Sequence, residues 1–392
     1  MNPLKSWIIK GAGILLLLVL ALGLAVPASA QVRSAALNDP SEPGSVIVFP
    51  KFVKSGPAGF VLVDGVQRPQ TEIEVGVVCP RTATCEPHEK VYISFYWVSP
   101  PSAKFPAGLC PFVDFWVTTS VGEKIKFNPD GSKIDSDVVG PGLPANQVPA
   151  APENAGYLIG SMVNATRLPI KFDGLIGDAV IRPSSTAVAE YGAIPIQADP
   201  KLATGAPLTL DAGNPLAPGL VFDGGPGHYL AVAGAVQGDV KYDNPMGKPG
   251  TSFKSRTTLT LLTLDVSANI PNAATAVPFS FFNETSQRPV PASTAFFCWE
   301  EVQLSRGPNG IASDKCGLNC GFTQAGMGSE KGLFVSGQAT QPGGGSRTLL
   351  GLVETDEGSS TGTGVPARSY IGPLTNNSEP ISTTFMQGPP LP

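Results

Sequence analysis

The sequence predicts an all-β protein, an antiparallel β-sandwich built from two related halves that form one linked body. Three observations predict it. Gly and Pro are abundant, 45 and 40 of 392 residues, while 42% of residues are apolar, so apolar runs are short and broken by turns. Several runs alternate apolar and polar residues with a period of two, which suits a half-buried strand. No window of a dozen residues carries a helical period. Only 15% of residues are charged and the formal net charge is −5; such a chain lacks the basic footprint that nucleic acid requires.

At the N-terminus, Lys5 and Lys10 precede an uncharged apolar run from Gly11 to Val26, which ends in Pro27-Ala28-Ser29-Ala30. A positive lead, an apolar core and a small-x-small end make a secretory signal, with cleavage expected between Ala30 and Gln31. The run of about 16 residues is shorter than the roughly 20 of a spanning helix, which favours cleavage over an uncleaved anchor. No Cys follows it to carry a lipid. No later run approaches spanning length, so the expected mature chain has no membrane span. It is expected to be exported, whether secreted, periplasmic or at the cell surface.

After a polar lead-in over residues 31–43, strands are expected in order at Ser45–Phe52, Gly59–Val63, Thr71–Val78, Val91–Val98 and Phe112–Ser120. Within Thr71–Val78 the residues Ile73, Val75 and Val77 share one face. Glu123–Phe127 and Ser132–Asp135 flank Asn128-Pro129-Asp130-Gly131 and read as a hairpin. Tyr157–Val163 and Leu175–Ile181 complete a first half, residues 44–182. Residues 183–219 carry Pro at 183, 195, 200, 207, 215 and 218 and read as a linker or a surface excursion. A second half, residues 220–385, holds Leu220–Phe222, Tyr229–Ala235, Asp239–Tyr242, Thr257–Val266, Val277–Phe282, Ala295–Leu304, Gly332–Ser336 and Thr348–Glu354. The consecutive Leu261-Leu262 within the otherwise alternating Thr257–Val266 suggests a bulge. Residues 386–392 form a tail.

The halves echo each other. TEIEVGVV leads to VYISFYWV, a loop and Cys110 opening CPFVDFWVTTS; TTLTLLTLDV leads to VPFSFFNE, a loop and Cys298 inside FFCWEEVQLS. A period this long argues for two related halves and against a solenoid array. The stretches GSVIVFPKF (Gly44–Phe52), KFDGLIGDAVI (Lys171–Ile181), TTLTLLTLDV and CWEEVQL (Cys298–Leu304) resemble those of a group of uncharacterised exported bacterial proteins. That resemblance implies a shared β fold and an exported bacterial setting, with no activity attached. It would make residues 44–385 one unit and residues 183–219 an excursion.

Six cysteines in an exported chain point to disulfides. Three lie early (Cys79, Cys85, Cys110) and three late (Cys298, Cys316, Cys320). Short closures favour Cys79–Cys85 and Cys316–Cys320, which leaves Cys110 for Cys298; Cys85–Cys110 with Cys298–Cys316 is the rival. An odd number in each half requires a bridge between halves if all are paired. Cys79, Cys85 and His88 could also supply zinc ligands, but their spacing matches no standard pattern.

Catalytic chemistry is sparse. The two histidines, His88 and His228, flank no Gly-x-Ser-x-Gly elbow and read as solvated loop residues. No phosphate-binding loop or dinucleotide fingerprint occurs, and no cofactor is expected. Paired carboxylates would suffice for a glycosidase, and Asp114, Asp173, Asp178, Asp223, Glu300 and Glu301 lie in or near strands. The acidic stretch Asn128–Asp137 lacks the sixth-position Gly and closing Glu of a calcium loop, so its Pro-Asp-Gly serves a turn. The sequons at Asn164, Asn283 and Asn376 carry no inference in a bacterial setting.

The best binding candidate is aromatic. Tyr92, Ser94 and Tyr96 share one strand face, and Phe112, Asp114, Trp116 and Thr118 share another. Paired together they would form an aromatic and polar surface able to hold a sugar; buried, they are sandwich core. Tyr92, Tyr96, Asp114 and Trp116 are therefore the candidate binding residues, with exposure as the discriminator. The expected function is a non-catalytic surface, envelope or matrix protein acting by adhesion or assembly, its partner a polysaccharide or a surface protein. Ligand binding through the aromatic face is the alternative, and an exported hydrolase a third.

Overall fold

The computed structural model describes residues 39–386 except 55–69, 106, 141, 182–187, 212–218, 241–252, 267–270, 283–289, 304–332, 341–346, 360–367, 374, 377–379 and 382. The expected signal, the strand at Gly59–Val63, and Cys316 and Cys320 lie outside these residues. Residues 36–392 form one compact unit. Among the described residues there is no helix, and the strands pair antiparallel throughout.

In chain order the strands of the first half are β1 (Val46–Val53), β2 (Thr71–Val77), β3 (Lys90–Val98), β4 (Phe112–Ser120), β5 (Lys124–Phe127), β6 (Val138–Val139), β7 (Ala155–Val163), β8 (Leu175–Ile181), β9 (Ala189–Gly192) and β10 (Ile194–Ile196). Then follow β11 (Leu210–Asp211), β12 (Gly219–Phe222) and β13 (Val232–Ala233). The second half holds β14 (Ala235–Val240), β15 (Phe253–Leu262), β16 (Thr275–Phe282), β17 (Val290–Phe296), β18 (Trp299–Gln303), β19 (Leu333–Gln338), β20 (Leu350–Ser359), β21 (Arg368–Pro373) and β22 (Thr375–Asn376). Two short closing strands are β23 (Pro380–Ile381) and β24 (Thr383–Met386).

The strand orders reveal a duplication. The first half forms the sheets β10-β1-β7-β3-β4-β6 and β5-β2-β8-β9; the second forms β22-β14-β19-β16-β17 and β18-β15-β20-β21. Read in parallel, the two halves have the same order, β6 being the one addition. A shared contact fixes the register. Phe95 of β3 faces Gly160 of β7, and Phe279 of β16 faces Gly337 of β19. A Cβ on Gly160 would lie 2.5 Å from Phe95 Cε1, and one on Gly337 would lie 2.4 Å from Phe279 Cε1. In both copies an aromatic ring lies across a strand position that only glycine leaves open.

The sequence echo thus matches β2 with β15 and β3 with β16. The cysteines do not correspond: Cys110 precedes β4, whereas Cys298 follows β17, the strand equivalent to β4. The Pro-rich 183–219 segment is no bare linker or excursion, since β9 and β10 lie within it and pair with β8 and β1 of the first half.

One core fills the first sandwich, with Ile47, Phe49, Ile93, Phe95, Trp97, Phe115 and Phe127 among its members. A second covers the other face of the large sheet, where Val46, Val48, Tyr157 and Ile159 meet Leu220, Phe222, Leu262, Leu350 and Phe385. With both faces of β1 covered, its residues from Val46 to Phe52 are all buried, and Val46–Phe49 reads as a continuous apolar run. The same cause explains Leu261-Leu262. β15 pairs without interruption through both residues, and both are fully buried. The expected bulge is therefore absent there; the irregularity falls in β1, between Phe49 and Phe52.

That irregularity is where the halves meet. Trp299 Nε1 donates to the Pro50 carbonyl at 2.8 Å. The Lys51 ammonium, 7% exposed, pairs with Glu301 and with Glu354, the latter at 2.5 Å and also 7% exposed. Burial by itself would lower the Lys51 pKa, but the two carboxylates override it and hold the amine well above its ordinary value. The disulfide Cys110–Cys298 joins the halves across 188 residues, and Cys79–Cys85 closes a local loop. Cys79 and Cys85 are therefore not thiolate ligands for zinc.

The expected hairpin around Pro129-Asp130-Gly131 is half right. The turn forms, with Gly131 at φ 91° and Asp130 N–H held by Asn128 Oδ1 at 3.2 Å. Its arms do not pair with each other. β5 pairs with β2, Phe127 opposite Ile73, and Lys133 forms a lone bridge with Gln147. Burial of Ile125 and Phe127 in the first core selects that partner.

Candidate functional site

β3 and β4 pair with the two aromatic faces on the same side. Tyr92 lies opposite Thr118, Ser94 opposite Trp116, Tyr96 opposite Asp114 and Val98 opposite Phe112. The surface is divided along its length. Its Tyr96 end is closed: Phe385 of β24 packs edge-on to the Tyr96 ring at 5.5 Å, leaving that residue 5% exposed. Burial drives the Tyr96 hydroxyl pKa up, against the hydrogen bond from Ser94. Tyr96 is thus a core residue, which corrects its place among the candidate binding residues.

The Tyr92 end is open. Tyr92 and Trp116 are half-buried, and their rings stack at 5.1 Å with a 13° interplanar angle. The Arg167 guanidinium sits 5.0 Å from the Trp116 ring centroid, a cation–π arrangement. Asp114 stands beside them. Burial raises its carboxyl pKa, and Arg167 opposes the shift. Val139 of β6 lies opposite Trp116 and is 39% exposed, and Leu168 is 50% exposed. Two polar atoms on this face are buried without a hydrogen-bond partner, Trp116 Nε1 and Ser161 Oγ.

Sequence reasoning missed Arg167, Leu168 and Val139. The first two come from the β7–β8 connection, whose shape is set by Asn164. Asn164 Oδ1 accepts from the Thr166 N–H and hydroxyl at 2.9 and 2.8 Å and from the Leu168 N–H at 3.0 Å. Arg167 sits at φ 66°, a conformation uncommon for non-glycine residues. The signal was the Asn-x-Thr stretch itself, which doubles as a turn motif. Its Asn has a structural task whatever its glycosylation.

Beyond the Tyr92 end, at the edge where β4 runs out, lies an open groove of about 430 Å³. Lys90, Thr118, Thr119, Glu123, Asp135 and Asp137 help to line it. Thr118 belongs to both features, since it also stands opposite Tyr92. Thr119 is 5% exposed, and its Oγ1 has no hydrogen-bond partner.

The other candidates are dispersed. His88 is exposed at φ 60°, 3.8 Å from Glu123. His228 is not solvated: its ring is 20% exposed and Nδ1 lies 2.7 Å from Asp223. Asp173 accepts from Ser45 Oγ at 2.7 Å and from Ala198 N–H at 2.9 Å, its pKa raised by burial. Glu301 pairs with Lys51, while Glu300 accepts from Thr294 Oγ1 at 2.8 Å and is raised by burial. Asp178 lies opposite Glu74 on the outer face of β2 and β8. Burial and Glu74 raise Asp178, whereas Lys124 and Lys126 lower Glu74. Two carboxylates pushed apart are the usual mark of an acid and a base, but Lys124 and Lys126 already occupy Glu74. Among the described residues no three of His, Cys, Asp and Glu converge to hold a metal ion, and no helix is long and apolar enough to cross a membrane.

The fold is an all-β sandwich duplicated within one chain. Comparison with protein-family models, with curated proteins and with solved structures finds no match.

Proposed function

We propose that the protein is an exported, non-catalytic β scaffold that works by adhesion or assembly, binding a surface partner through the open Tyr92–Trp116 end of the β3–β4 face. The observation that carries this reading is the contrast between the two halves. With Phe95 aligned to Phe279, the positions of Tyr92, Ser94, Trp116 and Thr118 fall on Ala276, Pro278, Ser293 and Ala295. The same strand arrangement forms in the second copy with small residues there. Architecture alone therefore does not demand a Tyr-Trp stack, and a binding role accounts for it.

The chemistry of the patch agrees. Tyr, Trp and Arg are the residues that dominate binding hot spots, and here they are stacked, pre-ordered and flanked by the exposed Leu168 and Val139. The two disulfides suit an oxidising compartment, as does the signal-like leader. The test is retention of the purified protein on cell envelopes and on matrix preparations, comparing wild type with Tyr92→Ala, Trp116→Ala and Leu168→Glu. Loss of retention by variants whose unfolding midpoints stay near wild type is expected. Full retention by all three would refute the reading.

A further inference from the structure

The groove beyond Tyr92 has no counterpart in that reading, and it deepens it. We propose that the groove and the Tyr92 ledge form one continuous site for a neutral saccharide, which makes the partner of the adhesive patch a glycan. The inference rests on the patch being a binding face.

Four features of the site select this ligand. The first is size, since about 430 Å³ falls within the range of small-molecule sites and holds about one or two sugar rings. The second is polarity. Glu123, Asp135, Asp137, Ser136, Asn146 and Lys90 help to line the groove, a mixture of acceptors and donors that vicinal hydroxyls can satisfy together. Lipid and apolar peptide side chains find little to bury against there.

The third is the aromatic ledge. Tyr92 is half-buried and stacked on Trp116, so it offers a flat apolar face beside a polar groove, which suits the C–H face of a sugar ring. The fourth is charge. Three carboxylates against one ammonium repel uronates and sulfated sugars, which selects a neutral glycan. Thr118 joins the groove to Tyr92, and Tyr92 is held flat against Trp116, so a ring leaving the groove meets an aromatic surface fixed in advance.

The experiment uses the purified full protein on an array of neutral gluco-, galacto-, manno- and xylo-oligosaccharides beside uronate and sulfated ones. Titration calorimetry with the best neutral oligosaccharide follows. Asp137, 76% exposed, is chosen because its change should not harm the fold. Asp137→Asn should weaken binding about tenfold, near the value of one lost charged hydrogen bond, and Tyr92→Ala should weaken it at least as much. Failure of every neutral saccharide to bind, preference for acidic ones, or binding indifferent to Asp137→Asn and Tyr92→Ala would overturn the inference. A blank array with Tyr92-dependent retention on envelopes would remove the glycan and keep the adhesive reading, with a protein as partner. A blank array with Tyr92-independent retention would remove both.

Discussion

Replacing Lys51 by Met is the sharpest test of how the two halves hold together. Met keeps the length and apolar stem of the lysine and removes only its charge. Glu354, 7% exposed, would then lose this ion pair while staying in the interior. Removing one partner of a buried ion pair typically costs about 3–5 kcal/mol, because the remaining charge stays desolvated. Glu301 is 33% exposed, so solvent screens its share, and most of the loss belongs to Glu354. The assay is urea unfolding followed by tryptophan fluorescence, which should show a lower midpoint. The control is Lys51→Met with Glu301→Gln and Glu354→Leu. An apolar replacement of a whole buried cluster is often neutral or stabilising by about 1–4 kcal/mol, so the triple variant should recover the loss. A single variant within about 0.5 kcal/mol of wild type, or a triple variant no better than the single, would refute the account.

Three further outcomes follow from the fold. Gly160→Ala and Gly337→Ala should destabilise alike, by about 1–3 kcal/mol each for overpacking, since each new methyl meets a phenyl ring; Phe95→Leu should relieve the first and Phe279→Leu the second, as read by thermal unfolding. Removing Cys110–Cys298 by paired alanines should cost about 5 kcal/mol in the chain-entropy account, against about 2 kcal/mol for Cys79–Cys85, because the loops differ so greatly in length; equal losses in denaturant unfolding would contradict this. The half-buried Asp173 has a raised pKa, so its ionised form costs stability at neutral pH, and that cost disappears as pH falls through the raised value toward about 3.9. Asp173→Asn, which retains an acceptor for Ser45 and Ala198, should therefore gain on wild type at neutral pH and lose that advantage on acidification, when melting temperatures are compared across the range.

Much of the architecture was legible because strand signals are local. Alternation in Thr71–Val77 and Lys90–Val98, and the turn residues between strands, depend on neighbours one or two positions away. The aromatic faces of β3 and β4 could be assigned for the same reason, because side chains alternate strictly along a strand. The pairings of Cys79 with Cys85 and Cys110 with Cys298 agree with short-range closure and its remainder. Other features were illegible because they depend on what covers a strand. Leu261-Leu262 imitates a bulge only if one face is assumed wet. The Pro129-Asp130-Gly131 turn does not say which strand its arms will join, and burial of Ile125 and Phe127 against β2 decides it. His228 gains Asp223 only through the fold of its loop.

The binding face shows the division most clearly. Sequence by itself placed Tyr92, Ser94 and Tyr96 on one side of a strand and Asp114 and Trp116 on one side of the next, since period-two alternation is a property of the backbone. Tertiary structure decided that Tyr96 is core and Tyr92 is not, because β24 returns from the far end of the chain to seat Phe385 on one end of the face. It also brought Arg167, Leu168 and Val139 to the open end and set the groove beside it. Which residues share a strand face follows from local geometry, but which part of that face meets solvent depends on segments hundreds of residues away.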